Sequence, residues 1–181
     1  MSMNYTELDE KTRAIMLSEF DAEQTGGNPY RSRALSPRGQ QVFPQLMRDA
    51  IKQGTEVSLA STLADASLWN PMETYVRDGV LRERKRNVQQ SAERLATTEF
   101  STWYVRGLAK RLLDEGVKNC QVYRGAQPKW EPGECSEHEG RIIDVITIYD
   151  SHRARYWPEP GNKDAFSIPF GPGCHHLIKR A

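Results

Sequence analysis

The stretch "VLRERKRNVQQSAERLATTEFSTWYVRGLAKRLLDEG", residues 80–116, decides how the chain is read. Leu81, Arg84, Val88, Ala92, Leu95, Phe100, Trp103, Gly107, Leu108 and Leu112 recur at spacings near three and four, no proline interrupts them, and Gly116 stops the run. The pattern predicts one long helix over about 80–115, with Trp103 and Tyr104 in the core. A helix of that length exceeds what one small core covers, so it braces several shorter helices or spans an assembly.

Upstream the chain also reads helical. "TELDEKTRAIMLSEF" (6–20) opens with Thr6 as N-cap, and Leu8, Ile15, Met16 and Phe20 fall near one face. "TGGNPYRSRALSPRG" (25–39) is a break rich in Gly, Pro and Arg, and residues around 24–40 read as an arm that orders on docking. A second helix is expected from Phe43–Pro44 to Lys52, with Pro44 in its first turn, and Gly54 ends it. Thr55 caps a third through Leu63. Asn70 and Pro71 read as the cap and first residue of another helix.

Past Gly116 the composition changes to short runs rich in Val, Ile, Tyr and Phe: "NCQVYRG" (119–125), "RIIDVITIYD" (141–150), "ARYW" (154–157) and "AFSIPF" (165–170). The expected fold class is therefore α+β: a mainly helical N-terminal body with one long helix, residues 1–116, followed by a small antiparallel β module with a C-terminal tail, residues 117–181.

The chain has 181 residues, enough for one ordinary domain, and a formal net charge of +1. Near-neutrality gives no global pull toward nucleic acid or anionic lipid, so any electrostatic role must come from local clustering. No apolar run is long enough to cross a membrane, and "MSMNYTELDEKTR" carries acids where a signal peptide needs a basic and then an apolar stretch. No membrane partner is expected. Three cysteines, an odd number set far apart, argue against a disulfide framework and fit a reducing compartment.

Four residues carry a metal-ligand pattern. Cys135 and His138 form a Cys-x-x-His pair in "GECSEHEGRII" (133–143), and Cys174 with His175 or His176 forms a second in "GPGCHHLIKRA" (171–181). Zinc takes thiolates and imidazoles in tetrahedral sets, and ligands arrive in close pairs because one tight turn aims two side chains at one ion. Neighbouring histidines of an extended chain point opposite ways, so one of the two faces the ion. The set is Cys135, His138, Cys174 and His176, with structural zinc as the cofactor. The plainer reading is a loop thiol and the surface histidines of a tail. An ion there would staple a β module with little core of its own.

Arg82, Arg84, Lys85 and Arg86 would occupy consecutive turns of the long helix, as a solvated or salt-bridging face or as one passing near phosphates. Glu83 and Glu93 dilute their field. The phosphate-cradling and nucleophile-elbow motifs are absent, and the acids show no spacing that selects a catalytic pair, so no enzyme is nominated. "VYRG" (122–125) resembles the arginine-bearing first strand of ADP-ribosyltransferases, but the Ser-Thr-Ser strand and Glu-x-Glu turn that family needs do not follow.

"ATTEFSTWYVRGLAKRLLDEGV" (96–117), "CSEHEGRII" (135–143) and "IPFGPGCHHLIKR" (168–180) together resemble the C-terminal half of Mu-type phage minor head proteins. The matching positions are Ala96, Thr98 and Glu99, then Gly116 and Val117, Cys135, His138 and Gly140, and last Pro172 with Cys174, over roughly residues 96–178. His138 stands where that family often has a second cysteine, and Cys-His-His replaces a Cys-Arg-Cys ending. The helical body with its "HRARYWPEPGN" and "AFSIPFGPGC" ending is also similar to head proteins of phages that infect actinobacteria. The resemblance implies a virion structural protein at the portal vertex, a head-to-tail connector (adaptor) or minor head protein. It would form a ring homo-oligomer with the portal and neighbouring head or tail-completion proteins as partners, and touch packaged DNA transiently. From another class, the alternative is a small zinc-stabilised nucleic-acid-binding or nuclease-like protein.

Overall fold

Polar side chains with an oxygen to spare set where each helix starts. The computed structural model describes residues 2–127 and 134–181, the side chains of Glu134 and Cys135 excepted. In it α1 spans Glu10–Thr25, α2 Pro37–Gln53, α3 Glu56–Leu63 and α4 Val88–Asp114. Asp9, not Thr6, caps α1 by accepting from the Thr12 amide at 2.9 Å, because Thr6 is drawn off to the Tyr123 hydroxyl. Ser36 caps α2 with Pro37 just inside, so the helix starts well before Phe43 and Pro44 lies in its interior. Pro44 has no N–H for the helical ladder; burial of Phe43, Met47, Ala50 and Ile51 along the same helix offsets that loss. Thr55 caps α3 as expected, in a capping box with Ser58.

α4 is enclosed rather than one-sided: Thr98 through Val105 are all buried. α1 crosses it at Gly107, where a Cβ would stand 2.4 Å from Met16 Cγ and 2.9 Å from the Met16 backbone. Only glycine fits that approach. Residues 24–40 are likewise packed against the body and form no free arm, with Leu35 buried and the Tyr30 ring edge-on to Tyr156 and Trp157.

The helix does not begin at residue 80. Met72–Arg77 (β1) and Val80–Lys85 (β2) pair as an antiparallel hairpin, closed by Asp78 and Gly79 at φ 53° and 73°. Positive φ at both central residues is the type I′ geometry that Asp-Gly favours, and its twist matches paired strands. Asn70 and Pro71 thus lead into a strand, and α4 starts at Val88 under an Asn87 cap.

Gly116, at φ 72°, turns the chain out of α4. Asn119–Arg124 (β3) then lies between Ile142–Asp144 (β4) and His176–Arg180 (β5), antiparallel to both. "RIIDVITIYD" is only partly strand: from Val145 to Asp150 it coils into α5, which buries Val145 and Ile148. "ARYW" and "AFSIPF" stay outside the sheet, next to Pro158, Pro160 and Pro169, whose nitrogens cannot donate to a ladder. The expected tail is itself a strand, β5, with Leu177 and Ile178 fully buried. Met16, Phe20, Trp103, Leu108, Val122, Val145 and Leu177 belong to one apolar cluster, so the α+β fold is built on a core that the helices and the three-stranded sheet share.

Candidate functional site

Two features stand apart from that core. The first is the hairpin. Every β2 residue is exposed, and among the described residues β1 and β2 pair only with each other, so neither outer edge is bonded to another described strand and the Met72–Thr74–Val76 face is exposed. The register puts Met72, Thr74 and Val76 on one face with Leu81, Glu83 and Lys85. Val76 and Leu81 sit directly opposite each other and remain 68% and 69% exposed. On the other face Arg84 Nε pairs with Glu73 at 2.7 Å and its guanidinium lies over the Tyr75 ring.

The base of the hairpin is sewn to the body. Arg86 donates to the Asn70 carbonyl at 2.8 Å, to the Met72 carbonyl at 3.1 Å and to Glu73 at 3.2 Å, and it lies over Trp69. Asn70 donates to the Arg33 and Leu35 carbonyls. The four basic residues expected on one helix are therefore split between roles: Arg86 is an anchor, Arg84 is paired across the strands, and Arg82 and Lys85 form no ion pair among the described residues.

The second feature lies at one end of β3. Arg124 pairs in register with His176, while Gly140 donates to the Val122 carbonyl and Val122 to the Arg141 carbonyl. The fold thus carries the Glu134–His138 turn and the Cys-His-His segment to the same end of the sheet, although the sequence separates them widely. Cys174 Sγ stands 3.6 Å from His176 Nδ1 and accepts from the His176 amide at 3.4 Å. His176 is fully buried; among the described residues its Nε2 makes no hydrogen bond, and Glu139 Oε2 lies 3.7 Å away. Arg124 holds that carboxylate at 2.8 Å.

His138 lies against the Phe166 and Phe170 rings, with Nδ1 3.1 Å from Arg141, beside a shallow cleft of roughly 400 Å³ that Glu137, Arg155 and Asp164 also line. Burial and then neighbouring arginines hold both imidazoles below the ordinary histidine pKa, which keeps a lone pair on each ring. Among the described residues no three His, Cys, Asp or Glu side chains converge as a ligand set. The Cys135 side chain lies outside those residues.

A third cluster carried no signal that a motif would catch. Arg153, fully buried at φ 58°, binds Glu99 of α4 through both terminal nitrogens at 2.8 and 2.7 Å, touches Tyr30 and Trp103 ring faces, and lies 3.5 Å from Glu23. Glu99 inside the apolar run of the helix was the available hint. The pair is sealed from solvent and clamps the loop after α5 onto α4.

No described helix is long and apolar enough to cross a membrane. The sequence matches no protein-family model, no curated protein and no solved structure.

Proposed function

We propose that this chain is an assembly component of a tailed-phage virion, acting at the portal vertex as head-to-tail connector or minor head protein in a ring of its own copies. The resemblance over residues 96–178 supplies the class. The observation that supports it is the β1–β2 hairpin: a two-stranded ribbon alone is marginal in water, yet this one carries an exposed apolar tip and, among the described residues, two unpaired edges.

A ring repeats one heterologous contact around a closed axis, so each subunit needs a donor surface and a different acceptor surface. The hairpin has the form of a donor, since an open strand edge can be extended by a neighbouring chain. Covering Val76, Val80 and Leu81 would contribute roughly 1–2 kcal/mol per side chain. The engagement of Arg84 and Arg86 within the hairpin weighs against phosphate contact as its main role. Portal and neighbouring head or tail-completion proteins are the proposed partners, with packaged DNA in transient contact.

Co-sedimentation with a cognate portal protein tests this reading. The expected result is a stable complex that tolerates moderate salt; a chain that ignores the portal and instead binds DNA with a steep salt slope would favour the zinc-stabilised nucleic-acid-binding alternative.

A further inference from the structure

We infer that the hairpin of one copy docks on the β4–α5 corner of a second copy of this chain, centred on Ile142 and Ile146. The inference rests on the assembly reading and names the acceptor surface that a ring requires. Apart from Val57, every large apolar side chain exposed among the described residues lies either on the hairpin, at Met72, Val76, Val80 and Leu81, or at this corner, where Ile142 is 56% and Ile146 48% exposed. Single exposed apolar residues are ordinary. Two separate groups of them on one molecule are what a heterologous contact needs.

The backbone at the corner is also open. β4 is an outer strand of the order β4-β3-β5, and among the described residues it pairs with β3 alone. At the opposite edge His176, Leu177 and Ile178 of β5 are buried and the Arg180 amide is taken by Glu7, so β4 is the reachable edge. A strand from another chain extends such an edge through main-chain hydrogen bonds, and side-chain fit sets the specificity.

Charge selects the occupant. Ile142 and Asp144 share a face of β4, and Ile146 and Asp150 share a face of α5. Both acids are exposed, Asp144 makes no side-chain cap bond to α5, and neither forms an ion pair among the described residues. Lys118, whose carbonyl accepts from the Val145 amide, offsets one of them, and Arg141 is turned to His138 and Phe166. The corner therefore keeps a negative surplus. On the hairpin, Arg82 and Lys85 lie outside ion pairs against Glu83, a positive surplus. Opposite signs favour hairpin on corner over hairpin on hairpin.

Sedimentation velocity on two variants and their mixture tests this. Val76→Ser with Leu81→Ser disables the donor. Ile142→Thr with Ile146→Gln disables the acceptor while keeping strand and helix propensity, and circular dichroism checks that each folds. At concentrations where the wild-type chain associates, each variant alone should associate at least about 10-fold more weakly. Their equimolar mixture should form dimers and nothing larger, because one chain still offers a corner, the other still offers a hairpin, and a single contact completes the pair. Asp144→Asn with Asp150→Asn, at exposed positions, should weaken association at low salt and match wild type at high salt. An acceptor variant that assembles like wild type, a mixture that stays monomeric, or unchanged association of the Asn variant at low salt overturns the corner assignment and leaves the hairpin reading standing; a wild-type chain that is monomeric at every concentration overturns both.

Discussion

At the scale of single residues, Arg153 and Glu99 show how much a buried charge depends on its partner. Deleting one member of such a pair leaves the other charged in a dry site, whereas replacing both with apolar side chains can be nearly neutral. Glu99→Ala should cost about 3–5 kcal/mol and Glu99→Leu combined with Arg153→Met much less, as read by urea denaturation; equal losses in the two would contradict the clamp.

His152 adds a pH dependence at the same place. Burial against Trp103 and α4 sets its pKa at about 4, and Arg153 and Arg106 add to the depression that Glu23 opposes. The unfolded chain therefore binds an extra proton below the ordinary value of 6.5, and stability falls as pH drops from 6.5 through 4, by at most about 3 kcal/mol. Glu23 acts in the same direction lower down: burial raises its pKa, but His152, Arg153 and the Tyr30 amide lower it more, to below 4.5. His152→Asn should flatten the slope of stability between neutral pH and pH about 5; an unchanged slope would assign it elsewhere.

At the scale of elements, the α1–α4 crossing and the hairpin make opposite predictions. Gly107→Ala drives a methyl into the Met16 backbone, so the helices must part, and thermal or urea unfolding should register a loss of about 1–3 kcal/mol. Val76→Ser with Leu81→Ser removes only exposed apolar surface and should leave stability within about 0.5 kcal/mol while weakening self-association.

These elements also show what the sequence could reveal. The Thr55 cap, the Gly54 and Gly116 stops and the enclosed run around Trp103 follow from local chemistry and were legible. The hairpin was not, because its charged residues fit a 3.6-residue period as readily as a two-residue one; the Asp78-Gly79 pair was the signal that separates the two. α5 and β5 were misread for another reason. Whether "VITIYD" coils and whether the last residues pair depend on packing against α4 and β3, which is information from distant parts of the chain.

At the scale of the whole molecule, the helical body and the sheet share one core, and what projects from it is the ribbon of residues 72–85. The metal-ligand pattern was legible as residue types but not as geometry: the sequence named Cys174 and His176, and only the pairing of β3 with β5 and the Gly140–Val122 bond bring Arg124 and Glu139 to His176. The central proposal is that the ribbon is the means by which copies of this chain recognise each other.

Sedimentation velocity of the full chain beside a variant in which a short Gly-Ser turn joins Pro71 to Arg86 tests it most directly, since the Arg86 amide already bonds the Pro71 carbonyl at 2.8 Å and the body need not move. The expected result is concentration-dependent oligomers for the full chain and a folded monomer, with unchanged circular dichroism, for the shortened one. A full chain that stays monomeric at every concentration, or a shortened chain that assembles just as well, would contradict the proposal.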